Sequence, residues 1–232
     1  MAAAAQGRPQ FQEQLQELEQ AALGGLDMAL GQLDRVLVAV KTCDLPLAQF
    51  VVADGARIDR RYLEVHQGVL SLLALQGPVA GDLRLVTALL HMINNIERIG
   101  DQCVNIAKLI PLCEHQPSTG DLLLERVLRM GTLARDEIIQ ARRTFAGRDL
   151  VLAQSLAAQD LQVDRLGRDI FRRAVQAGED PEAREWAITV THVARALERI
   201  GDNAVDIGDQ AIFVATGQFR ELTSVLNPAA GS

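Results

Sequence analysis

Acidic side chains recur four residues apart in three segments of the chain, a spacing that places them on one face of a helix. The sets are Glu97 and Asp101, followed at the same spacing by the amide Asn105; Glu198, Asp202 and Asp206; and Asp160 and Asp164. Asp59 is a further single candidate. Like charges at this spacing destabilise an isolated helix by about 0.2–0.5 kcal/mol per pair, and a bound cation would compensate them. Because carboxylate oxygens suit magnesium, calcium, manganese or iron, the spacing predicts a metal site.

The alternative interpretation of the same pattern is an ordinary solvated helix face. Arg98 and Arg199 stand three residues before Asp101 and Asp202, respectively, and can form ion pairs with them on the helix surface. Spacing alone leaves both interpretations open.

The sequence lacks the residue patterns of the common enzyme classes. Di-iron enzymes need Glu-x-x-His pairs, but Glu64 precedes His66 by two positions and Glu114 precedes His115 by one. There is no nucleophile–base arrangement, Walker loop or dinucleotide fingerprint. We therefore predict no catalytic residues and no residues that bind an organic cofactor, and we do not expect an enzyme.

The acidic segments belong to an internal repeat. Residues 97–101 and 198–202 both read Glu-Arg-Ile-Gly-Asp, at an offset of 101 residues. Residues 44–49 resemble residues 149–154 at an offset of 105. Two matched blocks in the same order predict a tandem duplication of a unit of roughly 100 residues.

Capping and helix-breaking residues divide each unit into three helices. In the first unit, we predict a first helix from near Phe11 to Thr42, a second that begins at the N-cap Asp44 and stops at Gly77-Pro78, and a third from about Val79 to Leu112. In the second unit, we predict a helix that begins at the N-cap Ser118, one that begins at the N-cap Asp149 and stops at Gly178, and a last one from Asp180-Pro181 to about Ala215. Gly100 and Gly201, inside the repeated blocks, are predicted to allow close helix approach.

These landmarks predict an all-α fold of two antiparallel three-helix bundles, lying side by side. The predicted bundles span residues 10–114 and 118–217, with disordered tails at 1–9 and 218–232. A single longer bundle is the alternative architecture.

Composition narrows the function classes further. The chain has 232 residues and a net charge of −7, and only 3% of its residues are aromatic, so it lacks the basic stripe and stacking platform of a nucleic-acid binder. No apolar run approaches the ~18 residues that suggest a membrane span, and the start does not read as a signal peptide. We expect a cytoplasmic protein that does not insert into a membrane.

The chain resembles the PhoU family, the phosphate-transport accessory and regulatory proteins of bacteria. The resemblance is carried by the twin Glu-Arg-Ile-Gly-Asp blocks, by Val104-Asn105-Ile106 and Val205-Asp206-Ile207, and by residues 75–84. It implies two three-helix bundles in a cytoplasmic homodimer that represses the phosphate-starvation response. It also implies contacts with the ATPase subunit of a phosphate ABC transporter and with a sensor histidine kinase.

The resemblance further implies a multinuclear centre of iron, zinc, manganese or magnesium on the acidic motifs, with a metal-free protein as the alternative. Gly55 and Asn95 stand where the family often has Asp, and Gln102 and Asn203 where it often has His, whereas Asp206 replaces a common Asn. These departures favour the second unit as the metal site. Two other functions stay open: a metal-dependent phosphate-ester hydrolase, and a metal- or phosphate-handling protein without signalling partners.

Overall fold

The computed structural model describes residues 2–115, 122–177 and 180–218, and every regular element in these ranges is helical. The helices are α1 (Ala2–Thr42), α2 (Leu45–Gln76), α3 (Ala80–Leu109), α4 (Leu122–Gly147), α5 (Leu150–Val175) and α6 (Pro181–Thr216), with a 3₁₀ turn at Ile110–His115 after α3. The first unit contributes α1–α3 and the second α4–α6. The all-α prediction is therefore confirmed.

The predicted caps begin the helices as expected. The Asp44 side chain accepts a hydrogen bond from the Leu47 backbone N–H at 2.9 Å, and the Asp149 side chain accepts two, from Val151 and Leu152. Gly77 ends α2 with a φ of 53°, in the left-handed region that glycine enters without a Cβ penalty. The same local chemistry thus starts the middle helix in both units.

Replacing Asp149 by alanine is expected to lower the free energy of unfolding by about 1 kcal/mol, because two backbone N–H groups at the start of α5 lose their acceptor. Chemical denaturation measures the effect. The control is Gln154→Ala on the exposed side of the same helix, which should change stability by less than about 0.5 kcal/mol. Equal effects of the two substitutions would contradict the capping role.

Two predicted boundaries need correction. The prediction begins α1 near Phe11 and treats residues 1–9 as a tail, but α1 starts at Ala2, because the run of alanines there has the highest helix propensity. The α3 helix ends at Leu109 rather than Leu112, because Pro111 has no N–H to continue the α-helical hydrogen bonds, and a 3₁₀ turn follows from Ile110. The α5 helix ends at Val175. The predicted Ser118 cap, the Gly178 stop and residues 219–232 lie outside the described residues.

The two bundles lie side by side, as predicted. The α3 helix packs against α6, α1 packs against α4, and one continuous cluster of buried apolar side chains spans both units. Among the described residues, ion pairs connect α1 with α4 and with the residue that follows it: Arg135–Asp34, Arg142–Asp27 and Arg148–Glu19. Such pairs add little stability in solvent, so the apolar contact carries the association of the bundles. No helix in the described ranges is long and apolar enough to cross a membrane.

Candidate metal centre

Six acidic side chains from three helices form a cluster in the second unit, which we call the acidic cluster. Its members are Glu137 on α4, Asp160 and Asp164 on α5, and Glu198, Asp202 and Asp206 on α6. Their charges act on one another: Asp160, Asp202 and Asp164 all raise the pKa of Glu137, and Asp164 and Asp206 raise that of Asp202. The five predicted acidic residues of this unit are therefore brought together.

Glu137 lies at the bottom of the acidic cluster and was not predicted from the sequence. Its side chain is fully buried, and neither carboxylate oxygen has a hydrogen-bond partner among the described residues. Burial, followed by the charge of Asp160, raises the pKa of Glu137 to about 9. A buried carboxyl group without a partner is costly, so this position demands either a proton or a cation.

The rest of the acidic cluster rises from this base towards solvent. Asp160 is also buried, its Oδ1 has no hydrogen-bond partner among the described residues, and burial with the charge of Asp202 raises its pKa to about 7. Partial burial, followed by the charge of Asp164, raises the pKa of both Glu198 and Asp202. The Arg168 Nη1 atom lies 3.6 Å from Asp164 Oδ2 and compensates part of the charge at the rim.

Two glycines make room for these carboxylates. A Cβ atom on Gly201 would lie 2.7 Å from both Asp160 Oδ1 and Glu137 Oε2, and one on Gly167 would lie 2.6 Å from Glu198 Oε1. Any other residue at either position would displace a carboxylate oxygen. The repeated glycine of α6 thus admits side-chain oxygens against the helix backbone, in addition to the close helix approach predicted from the sequence.

Replacing Gly201 by alanine is expected to destabilise the protein, although alanine is favoured over glycine in a helix interior by about 1 kcal/mol. The added methyl would push Glu137 or Asp160 out of place. The control is Gly24→Ala in α1, where a Cβ meets no atom within 4 Å, and this change should increase stability. Urea unfolding of both variants decides the point, and a stabilised Gly201→Ala variant would contradict this packing.

The equivalent place in the first unit has different chemistry. Gln32 occupies the position of Glu137, and its Nε2 donates a hydrogen bond to the Val51 carbonyl oxygen at 3.1 Å. Gly55 replaces Asp160, and Val104 Cγ2 lies 3.0 Å from where its Cβ would be. The neighbouring Asp54 pairs with Arg35 at 2.7 Å instead of joining the site.

The predicted residues of the first unit therefore form only a reduced set: Asp59, Glu97, Asp101 and Asn105. Partial burial, followed by the charges of Asp101 and Asp59, raises the pKa of Glu97, so these three acids do lie near one another. Ile58 fills the space above Gly100, with its Cδ1 2.8 Å from where a Cβ would lie. With three acids instead of six, this site offers fewer ligands for a multinuclear centre, and metal binding there stays a prediction.

The donor set of the second unit fits a hard or borderline cation. Every donor is a carboxylate, and three buried oxygens lack partners, as expected of groups that bind a cation. The absence of His and Cys from the set favours manganese, magnesium or iron over zinc. In the described part of the chain, no three His, Cys, Asp or Glu side chains converge closely enough to define a metal position. Metal binding by these residues stays a prediction.

Comparisons with known proteins find the same two-unit organisation. The family model "PhoU domain" matches residues 26–110 and 127–211. The chain is 30% identical over 220 residues to the phosphate-specific transport system accessory protein PhoU homolog 1 of Mycobacterium leprae, covering 92% of this chain and 96% of that protein. It is 34% identical over 205 residues to the PhoU homolog of Caulobacter vibrioides, covering 87% of this chain and 86% of the relative.

Two solved structures share the fold. PhoU from Pseudomonas aeruginosa superposes with a TM-score of 0.84 at 29% identity, over 90% of this chain and 100% of that one. The phosphate transport system regulatory protein PhoU from Streptococcus pneumoniae superposes with a TM-score of 0.83 at 24% identity, over 90% of this chain and 99% of that one.

Proposed function

Since the chain belongs to the PhoU family, we propose that it is an accessory and regulatory protein of a phosphate-specific transport system. In this proposal it restrains phosphate uptake and represses the phosphate-starvation response when phosphate is plentiful. The observation that carries the proposal is the match of both units to the family, with relatives of that name aligned over nearly the whole chain.

The proposal is that this protein acts by contact rather than by catalysis. Its partners are the ATPase subunit of a phosphate ABC transporter and a sensor histidine kinase, which it contacts in the cytoplasm as a homodimer. The net charge of −7 supports docking against basic patches on such partners, because charge complementarity speeds and orients association.

The acidic cluster has a structural role in this proposal. Its carboxylates come from all three helices of the second bundle. A bound cation would supply positive charge that offsets the repulsion among them. Glu137 and Asp160 would hold it from below, and Glu198 and Asp202 would hold it from α6. The result would be a rigid second bundle, presenting its outer surface to a partner in one conformation.

Deleting the gene and following a phosphate-starvation reporter in phosphate-replete medium tests the proposed function. We expect the reporter to turn on, and a plasmid copy of the wild-type gene to turn it off again. A reporter that stays off, in a strain that also lacks any paralogue, would contradict the repressor role.

The acidic cluster also makes phosphate-ester hydrolysis a second candidate function, because clusters of carboxylates can hold the two cations that such chemistry uses. A phosphatase assay with added manganese, comparing the wild type with Asp202→Asn, separates the two. We expect no turnover above the level of the variant. Recovery of neither transporter nor kinase in a pull-down, with no turnover either, would instead favour metal or phosphate handling without signalling partners.

A further inference from the structure

A cleft of about 400 Å³ lies between α5 and α6, beside the acidic cluster. Its accessible surface is mainly apolar, and it includes one aromatic ring and three arginine side chains. The side chains that define it are Arg168, Phe171 and Arg172 from α5, and Thr191, Arg195 and Glu198 from α6. We call this the arginine cleft.

Helical spacing explains why these side chains share one groove. Arg168, Phe171 and Arg172 stand at i, i+3 and i+4 on α5, and therefore lie on one face of that helix. On α6, Thr191 and Arg195 are four residues apart and line the opposite wall. Two antiparallel helices thus bring three guanidinium groups around a common space.

The side chains of the arginine cleft are accessible to a ligand, and Arg168 also lies 3.6 Å from Asp164 at the rim of the acidic cluster. The three arginines are exposed, and the ring of Phe171 is 55% exposed. The Arg172 Nε donates a hydrogen bond to the Arg168 carbonyl oxygen at 3.3 Å, and this bond does not use the two terminal nitrogens of the guanidinium group. The Thr191 hydroxyl donates to the Ala187 carbonyl oxygen at 2.9 Å and keeps its own oxygen as an acceptor.

The duplication provides an internal comparison for this cleft. The equivalent positions in the first unit hold Leu63, His66, Gln67, Leu90 and Asn94, and none of these is an arginine. The first unit forms the same three-helix bundle without them. The guanidinium groups are therefore not required by the fold, and they occur only in the unit that carries the acidic cluster.

The size and lining of the arginine cleft define the ligand. A volume of about 400 Å³ is within the range of small-molecule sites and is much larger than one phosphate ion needs. Guanidinium groups bind phosphate oxygens in a planar, bidentate way, and an exposed aromatic ring stacks on flat heterocycles. A polynucleotide is disfavoured by the net charge of −7.

We propose that the arginine cleft binds a nucleoside phosphate, with the base against Phe171 and the phosphate groups on Arg168, Arg172 and Arg195. This ligand site is separate from the proposed contacts with transporter and kinase and does not depend on them. Glu198 lines the cleft and belongs to the acidic cluster as well, so ligand and cation would meet at this side chain.

Calorimetric titration of the full chain with ADP, in low-salt buffer without divalent cations, tests the proposal. We expect saturable binding by the wild type, weakened at least about tenfold in Arg168→Ala/Arg195→Ala, since two charge-assisted contacts are lost. Phe171→Ala should weaken ADP binding but leave pyrophosphate binding unchanged. The control is Arg60→Ala/Arg98→Ala, which removes two exposed arginines from the first unit and should bind ADP like the wild type.

Three results would overturn the proposal. These are the absence of heat or saturation with ADP up to about 5 mM, equal ADP binding by the wild type and Arg168→Ala/Arg195→Ala, and pyrophosphate binding as tight as that of ADP. The last result would show that Phe171 adds nothing to the affinity by contacting the base. All of the substituted side chains are exposed, so circular dichroism of the variants should match that of the wild type.

Discussion

Replacing Glu137 by glutamine is expected to raise the free energy of unfolding of the metal-free protein at neutral pH by about 3 kcal/mol, since pH 7 lies about 2.5 units above the ordinary pKa of 4.5 and each pKa unit is worth about 1.4 kcal/mol. The wild-type carboxyl group has its pKa raised from 4.5 to about 9 by burial and by neighbouring acids. It therefore binds a proton more tightly in the folded than in the unfolded chain. Glutamine does not titrate, so the variant avoids the free-energy cost of protonating this carboxyl group on folding.

The first unit shows how a glutamine fits at this position. Gln32 is buried at the equivalent place on α1 and donates to the Val51 carbonyl oxygen. By the repeat offset, the residue equivalent to Val51 is Leu156, and we expect its carbonyl oxygen to accept from the glutamine of Glu137→Gln. This single change replaces the buried carboxyl group at the bottom of the acidic cluster by the amide that the first unit has at the equivalent position.

The sign of the pH dependence follows from the same pKa. Because the folded-state pKa is above the unfolded one, the stabilising contribution of the neutral carboxyl is complete below about pH 4.5 and is lost as the pH rises towards about pH 9. Asp160, with a pKa raised to about 7, acts in the same direction. The stability of the metal-free wild type should fall over this range, and that of Glu137→Gln should fall less.

Urea unfolding in the presence of a chelator, at about pH 5, 7 and 9, measures both effects. Glu17→Gln is the control, because Glu17 is exposed on α1 and its substitution should leave the wild-type pH profile unchanged. Our account of Glu137 fails if Glu137→Gln is less stable than the wild type at pH 7, or if wild-type stability rises with pH.

Adding manganese is expected to stabilise the wild type and to distinguish the two units. A ligand at a hundredfold excess over its dissociation constant contributes about 2.7 kcal/mol when it binds only the folded chain. Asp202→Asn should lose most of this gain, since it removes a carboxylate from the acidic cluster. Asp101→Asn, the equivalent change in the first unit, should keep it.

Thermal unfolding with and without manganese measures this difference, and magnesium and zinc at the same concentration compare the metals. Equal loss of the stabilisation in Asp202→Asn and Asp101→Asn would show that the two units bind alike. Loss of the manganese stabilisation in Asp101→Asn alone would place the metal site in the first unit and contradict the prediction.

The helical architecture could be predicted from the sequence because its signals are local. Asp44 and Asp149 act on N–H groups two or three residues away, and Gly77 acts through its own φ angle. The end of α3 was predicted less well, although Pro111 is visible in the sequence. The predicted start of α1 was wrong because the high helix propensity of alanine extends the helix on the N-terminal side of Phe11, the first core residue.

The acidic cluster was only partly predictable, because its partners lie on different helices. Spacing identified Asp160 and Asp202 through their neighbours four residues away on the same helix. Glu137 has no acidic neighbour four residues away, and only the packing of α4 against α5 and α6 brings it to the other acids. Two signals could have found it: its place between Ala134 and Ala141 on an apolar helix face, and its alignment with Gln32 at the repeat offset.

The asymmetry between the units also depends on contacts that spacing does not show. Glu97 and Asp101 have the same spacing as Glu198 and Asp202, and both sets were predicted as ligands. The difference arises from the other two helices, where Gln32 and Gly55 replace Glu137 and Asp160. Duplicated motifs on one helix therefore do not imply duplicated sites.

The metal content of the protein, measured by elemental analysis after purification without chelators, tests the central claim most directly. We propose that the acidic cluster of the second unit is the metal centre of this chain. We predict bound manganese or iron in the wild type and in Asp101→Asn, and its loss from Asp202→Asn and Glu137→Gln. A metal-free wild type, or equal metal in all four proteins, would contradict the claim.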